Sequence, residues 1–178
     1  MAIVLVWAAT ALSPSISKAN EIYITQSGDD FVLDAQQRSE DNYGSINASG
    51  NNNNITMRQG IHNDNTYDND ETGGHEAYWV VSGANNTLEG YQTDTNRSGG
   101  GGDSHHYANY ITGDGNKVEH IQMGKAGHDG FVEIDGDSND VYLYQRGNGG
   151  KKWADVVLTG DGHAVDINQQ SYRHRLFR

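Results

Sequence analysis

Gly113-Asp114-Gly115-Asn116-Lys117-Val118-Glu119-His120-Ile121-Gln122 decides how the rest of the chain is read. A Gly opens a tight turn, and a Gln follows nine residues later. The pair recurs as Gly28/Gln37, Gly50/Gln59, Gly83/Gln92, Gly136/Gln145 and Gly160/Gln169. Successive Gly positions lie 22, 33, 30, 23 and 24 residues apart, so the unit is about 23 residues with extra loop in two places. A recurring period of this length marks a repeat architecture, in which each unit is too thin to bury its own apolar face.

Further columns appear when the units are aligned. Three residues after the Gly stand Phe31, Asn53, Asn86, Asn116, Asn139 and His163. Two further on stand Leu33, Ile55, Leu88, Val118, Val141 and Val165. Two before the Gly stand Gln26, Ala48, Val81, Ile111, Ile134 and Leu158. Apolar residues alternate on both sides of the turn, as in Val156 and Leu158, then Val165 and Ile167. Period two means strand, and Gly-Asp-Gly between strands means a tight turn. The expected fold is therefore all-β: a β-solenoid of six strand–turn–strand repeats with amyloid-like cross-β stacking. The inward face carries aliphatics plus one Asn and one Gln per layer. Stacking in register gives each backbone N–H and C=O a partner about 4.8 Å away, so six layers rise about 29 Å. Stacked amides donate and accept along their own column, which satisfies polar groups inside a narrow core.

Composition fits a thin, partly polar core. Mean hydropathy is -0.78 and 34% of the 178 residues are hydrophobic. The net charge of -12 argues against a nucleic-acid partner, which needs a basic face. Cysteine is absent, so no disulfide holds the fold. Ala2 to Leu12 is apolar, Pro14 interrupts it, and Ser17-Lys18-Ala19 supplies small residues for cleavage. The reading is a signal peptide over 1–19, a solenoid over 20–170 and a basic tail over 171–178, with an extracellular or cell-surface destination. Eleven apolar residues are too few to span a bilayer.

The repeat resembles the curlin repeat of curli fibres, Gln-x-Gly-x-Gly-Asn-x-Ala-x-x-x-Gln with a Ser six residues upstream. Gly113, Gly115, Asn116 and Gln122 match the Gly, Gly, Asn and second Gln; Gln26, Gly28 and Gln37 match both Gln and the first Gly. Later units put an aliphatic at the first Gln position, and Val, Leu or Ile replaces Ala, so this core is the more hydrophobic. The resemblance implies a secreted structural subunit that stacks end to end into a homopolymeric matrix fibre. Partners implied are other copies of the chain, a nucleating subunit and the cell surface. The basic tail Tyr172–Arg178 also suits a minor nucleating or anchoring subunit.

Asp114, Asp137 and Asp161 share one turn position in three successive layers. Carboxylates under about 5 Å apart repel, and calcium or acid would relieve that. His75, His105 and His128 share a second position and form a candidate pH-sensitive column. Asp135-Gly136-Asp137-Ser138-Asn139 imitates an EF-hand start, but Asp140 and Arg146 stand where Gly and Glu are required. No metal or other cofactor is assigned. The insertions 60–74 and 93–104 emerge at one edge, as solvated loops or as a binding edge. No nucleophile–base pair or carboxylate dyad recurs at interpretable spacing, so a non-enzymatic role is expected. The alternative is a monomeric solenoid that binds or processes carbohydrate.

Overall fold

The computed structural model describes residues 20–38, 41–60, 74–93, 104–147 and 149–171. The expected signal peptide, most of both insertions and the basic tail beyond Ser171 lie outside the described residues.

All regular elements are strands: β1 (Ile24–Thr25), β2 (Val32–Gln37), β3 (Ile46–Asn47), β4 (Asn54–Gln59), β5 (Thr87–Thr93), β6 (His106–Tyr107), β7 (Lys117–Met123), β8 (Asp129–Asp135), β9 (Asp140–Gly147), β10 (Trp153–Thr159) and β11 (Ala164–Ser171). Six of them form one parallel sheet in the order β11-β9-β7-β5-β4-β2, one strand from each repeat. A chain that returns each repeat to lie parallel on the last is a β-solenoid, as the period of the sequence predicts. No helix occurs among the described residues, so none is long and apolar enough to cross a membrane.

Register follows the sequence columns residue for residue. Leu33, Ile55, Leu88, Val118, Val141 and Val165 are successive partners, and so are the six Gln. A one-residue slip would turn every aliphatic outward, so burial itself enforces this pairing. In β4, Ile55, Met57 and Gln59 face inward while Asn54, Thr56 and Arg58 face out. Ile55, Leu88, Val118 and Val141 are wholly buried, each contributing roughly 1.5–3 kcal/mol.

The second wall is less regular than the repeat suggests. It divides into β1-β3 and β10-β8-β6, and the first strand of the third repeat shrinks to a single Glu76–His106 bridge. The cause lies in the core. Trp79 occupies a position that is Ile24, Ile46, Val132 and Val156 in other layers, and Tyr107 packs edge-on against it at 5.1 Å. Gly90 makes room opposite: a Cβ there would run into Tyr107 Oη. His120, tilted against Tyr107, is accommodated in the same way by Gly130. The backbone adjusts with positive φ at Val80, Ser82, Tyr110 and Ile111.

Candidate stacking ladders and the end faces

The Gln column is a continuous chain of amides. Gln37 Nε2 donates to Gln59 Oε1 at 2.7 Å, Gln59 to Gln92 at 2.9 Å, Gln92 to Gln122 at 2.9 Å, Gln122 to Gln145 at 2.9 Å and Gln145 to Gln169 at 3.0 Å. The other amide proton crosses the core to the opposite wall. Gln37 donates to Glu21 O, Gln59 to His75 O, Gln122 to His128 O, Gln145 to Asp129 O and Gln169 to Trp153 O. Five of the six Gln thus join two layers and two walls, and among the described residues Gln92 joins layers alone. This satisfies a buried amide that would otherwise cost about 1–3 kcal/mol per orphaned group.

The Asn column works differently, by replacing backbone. Asn53 Oδ1 accepts the N–H of Asn86, Asn86 Oδ1 that of Asn116, Asn116 Oδ1 that of Asn139, and Asn139 Oδ1 that of His163. The Nδ2 groups of Asn53, Asn86, Asn116 and Asn139 donate to the turn carbonyls of Gly83, Gly113, Gly136 and Gly160 in the layer above. Asn53 Nδ2 also holds Ser49 O, four residues back, at 2.8 Å. His163 imitates this: its Nε2 lies 3.2 Å from Thr159 O, also four residues back.

His75, His105 and His128 do stack, with ring centroids 5.0 and 5.1 Å apart, and all three are buried. They belong to a longer column that begins with Asn20 and Asn42 and ends at Lys152. Asn20 Oδ1 accepts the N–H of Asn42, and Asn42 Oδ1 that of His75. His75 Nδ1 then accepts the N–H of His105, His105 Nδ1 that of His128, and His128 Nδ1 that of Lys152, at 3.3, 3.1 and 3.2 Å. His128 Nε2 faces Met123 O at 3.1 Å. An Nδ1 that accepts must be unprotonated, so the column is made of neutral imidazoles carrying the proton on Nε2. The reach of this column was readable in the sequence: every member lies eight residues before its turn Gly.

The Asp column also caps backbone. Asp114 Oδ1 accepts the N–H of Ala84, Asp137 Oδ1 that of Asp114, and Asp161 Oδ1 that of Asp137, at 2.7, 2.7 and 2.8 Å. Asn51 Oδ1 serves Asp29 in the same way. Among the described residues, no group of three His, Asp or Glu side chains is arranged to hold a metal ion.

The turn glycines sit beside these columns. Gly113 has φ 111°, and a Cβ there would strike the carbonyl of Gly136 one layer up. Gly28, Gly50, Gly83 and Gly136 meet the next turn carbonyl likewise, whereas Gly160 meets only His163 Nε2, at 3.4 Å. Gln26 is half-buried, in phase with Ile22 and Ile24, and its Nε2 donates to Gly28 O.

The two ends differ. Phe31, Leu33 and Ala35 in the first layer are 4%, 8% and 7% exposed. In the last layer Leu158, Val165 and Ile167 are only half-buried, as Ile22 and Ile24 are in the first; the outward-facing Trp153 and Val157, 69% and 60% exposed, match the outward-facing Tyr23 and Val32 of the first layer, both 57% exposed. The C-terminal layer therefore presents an open strand edge with apolar side chains beside it.

Four core side chains, His120, Trp79, Tyr107 and Asn109, lack the support these columns provide. Neither ring nitrogen of His120 has a hydrogen-bond partner, and the same holds for Trp79 Nε1 and Tyr107 Oη. Burial lowers the His120 pKa to about 3, with the Gln145 amide opposing the fall and His105 adding to it.

Comparison with protein-family models, with curated proteins and with solved structures returned no match to this chain. The ladders define its class, a parallel β-solenoid, and the class stands on geometry alone.

Proposed function

We propose that the chain is a secreted structural subunit that stacks end to end into an extracellular, curli-like fibre. One observation carries the reading: the Gln ladder runs unbroken through all six layers and reaches the last one at Gln169, on an open edge. An edge whose side-chain and backbone hydrogen-bonding groups both point outward is a template for a further layer. The resemblance to curlin repeats supports the same reading and adds the extracellular matrix as destination. Removal of residues 1–19 on export belongs to this proposal, as do a nucleating partner, attachment through the basic tail and the absence of catalysis. Electron microscopy of the purified protein tests it. Unbranched filaments with layers about 4.8 Å apart are expected; a protein that stays monomeric at high concentration would refute it.

A second reading has its own observation. Tyr23, Tyr78, Tyr110 and Trp153 are exposed on the outer side of the second wall, where Tyr78, Tyr110 and Phe131 form a chain of edge contacts at 5.6 and 5.2 Å. Exposed aromatic rings suit stacking on sugar rings, so this reading makes the protein a monomeric carbohydrate binder. Saturable polysaccharide binding by a monomer that never forms filaments would favour it.

A further inference from the structure

Resting on the fibre reading, we infer that copies join head to tail, with His163 of one copy accepting the backbone N–H of Phe31 in the next. The argument is one of direction. Every ladder in the molecule has a fixed sense. Gln Nε2 donates upward, toward the C-terminal layer, and Gln169 Nε2 has one proton committed to Trp153 O. Turn N–H groups also donate upward, to the next Asp or Asn side chain. In the two corner columns the sense reverses, and the upper N–H donates down to the lower side chain.

These senses leave matching groups at the two ends. Gln169 has a spare donor and Gln37 Oε1 lies at the unfilled acceptor end of the same ladder. The Asp161 N–H lacks the carboxylate that serves Asp114 and Asp137, while Asp29 has no lower N–H to accept. Among the described residues no lower side chain takes the Phe31 N–H in the way those of Asn86, Asn116, Asn139 and His163 are taken; Phe31 is 4% exposed in the single copy, so the joint requires this face to be uncovered. His163 supplies that side chain. Its Nε2 is held by Thr159 O, and its Nδ1 has no partner among the described residues. An imidazole Nδ1 accepting the N–H one layer up is already the bond made by His75, His105 and His128. In the Gln ladder a tail-to-tail joint places donor against donor and a head-to-head joint places acceptor against acceptor; only head to tail continues it.

The end residues also suit each other as rings. Phe31 and His163 are the two non-Asn members of their column, and both are aromatic. Stacked across a joint, they replace two amide contacts with one ring contact like the 5.0 Å His75–His105 pair. At the other corner Lys152 has no side-chain acceptor, so His163 alone continues a corner column. Like charges do meet across the joint, Asp166 over Asp34 and Asp161 beside Asp29. Arg58 holds Asp34 at 2.9 Å, and the second pair repeats the tolerated spacing of Asp137 and Asp161.

Two measurements test the joint. The first uses the absence of native cysteine. Gln36→Cys and Asn168→Cys sit eight residues after the first and last turn Gly, so head-to-tail contact sets them one strand spacing apart, within disulfide reach. Filaments grown from a mixture of the two proteins and then oxidised should yield a mixed dimer, while Asn168→Cys alone yields none. Dimers from Asn168→Cys alone would overturn the proposal. The second compares seeded growth of His163→Ala and His163→Asn. The Ala protein should elongate roughly tenfold more slowly, about one hydrogen bond's worth, and Asn should restore the rate because it is the column's own residue. Equal rates for all three would also overturn it. In both cases wild-type filaments with the wrong cross-link or no His163 effect sink the joint alone; absence of wild-type filaments sinks the fibre reading.

Discussion

Asp161 Oδ1 accepts the backbone N–H of Asp137 across 2.8 Å. This bond changes how a column of like charges is to be understood. The carboxylates stack one layer apart, which alone would push them apart. Each also caps an N–H that a tight turn leaves without a partner, and a charge-assisted bond of that kind is worth about 1.5–3 kcal/mol. Asn51 makes the same bond to Asp29 at 2.8 Å without any charge. Changing Asp114, Asp137 and Asp161 together to Asn should therefore leave urea stability within about 1 kcal/mol of wild type, whereas Ala at all three should lose several. If calcium shortens the assembly lag by relieving repulsion, that effect should vanish in the Asn protein.

Gln145 links both neighbouring layers and the opposite wall. It accepts from Gln122, donates to Gln169 and donates to Asp129 O. Gln145→Leu keeps the volume but takes the donor from the Gln169 oxygen and the Asp129 carbonyl and one of three acceptors from Gln122, which keeps His106 O and His128 O. The expected loss is about 2–4 kcal/mol, read from the midpoint of urea unfolding. Growth from seeds should slow as well. A loss below about 0.5 kcal/mol would remove the ladder from the account of stability.

Two glycines at one turn position should behave differently. Gly113→Ala drives a methyl into the Gly136 carbonyl and should unfold that turn. Gly160→Ala meets open space above and bears only the strain of φ 101°, of order 1 kcal/mol. Its monomer should melt close to wild type. In a fibre, however, another turn lies over Gly160, and the methyl should then stop growth at that end. Normal filaments from Gly160→Ala would show that nothing stacks there.

Much of this was legible in the sequence because in-register stacking copies a column of residues directly into a column in space. The six Gln, the Asn run and the aliphatic columns needed only alignment on the turn Gly. The direction of each ladder was not legible, since Asn and Asp occupy similar places yet bond with opposite sense. The break in the second wall was hidden too. Trp79, Tyr107 and His120 are compensated by Gly90 and Gly130 in other layers, and one-dimensional periodicity carries no volume.

His120 makes acid stability predictable. Its folded pKa is lowered to about 3, below the roughly 6.5 of an unfolded His. The unfolded chain therefore binds this proton first, and stability falls as pH drops from about 6.5 toward 3. The slope from this one group approaches 1.4 kcal/mol per pH unit in that window. His120→Leu matches Leu143 in the next layer of the same column and should flatten the slope. Thermal melts from pH 7 to 4 on both proteins check this; parallel curves would place the acid sensitivity elsewhere.

Fibre diffraction from aligned filaments of the purified wild-type chain tests the central claim most directly. Parallel layers continued from copy to copy predict a sharp meridional reflection near 4.8 Å, with the solenoid's two walls giving a broad equatorial one near 10 Å. A solution that stays monodisperse and monomeric at millimolar concentration, giving no filaments to align, would contradict the account.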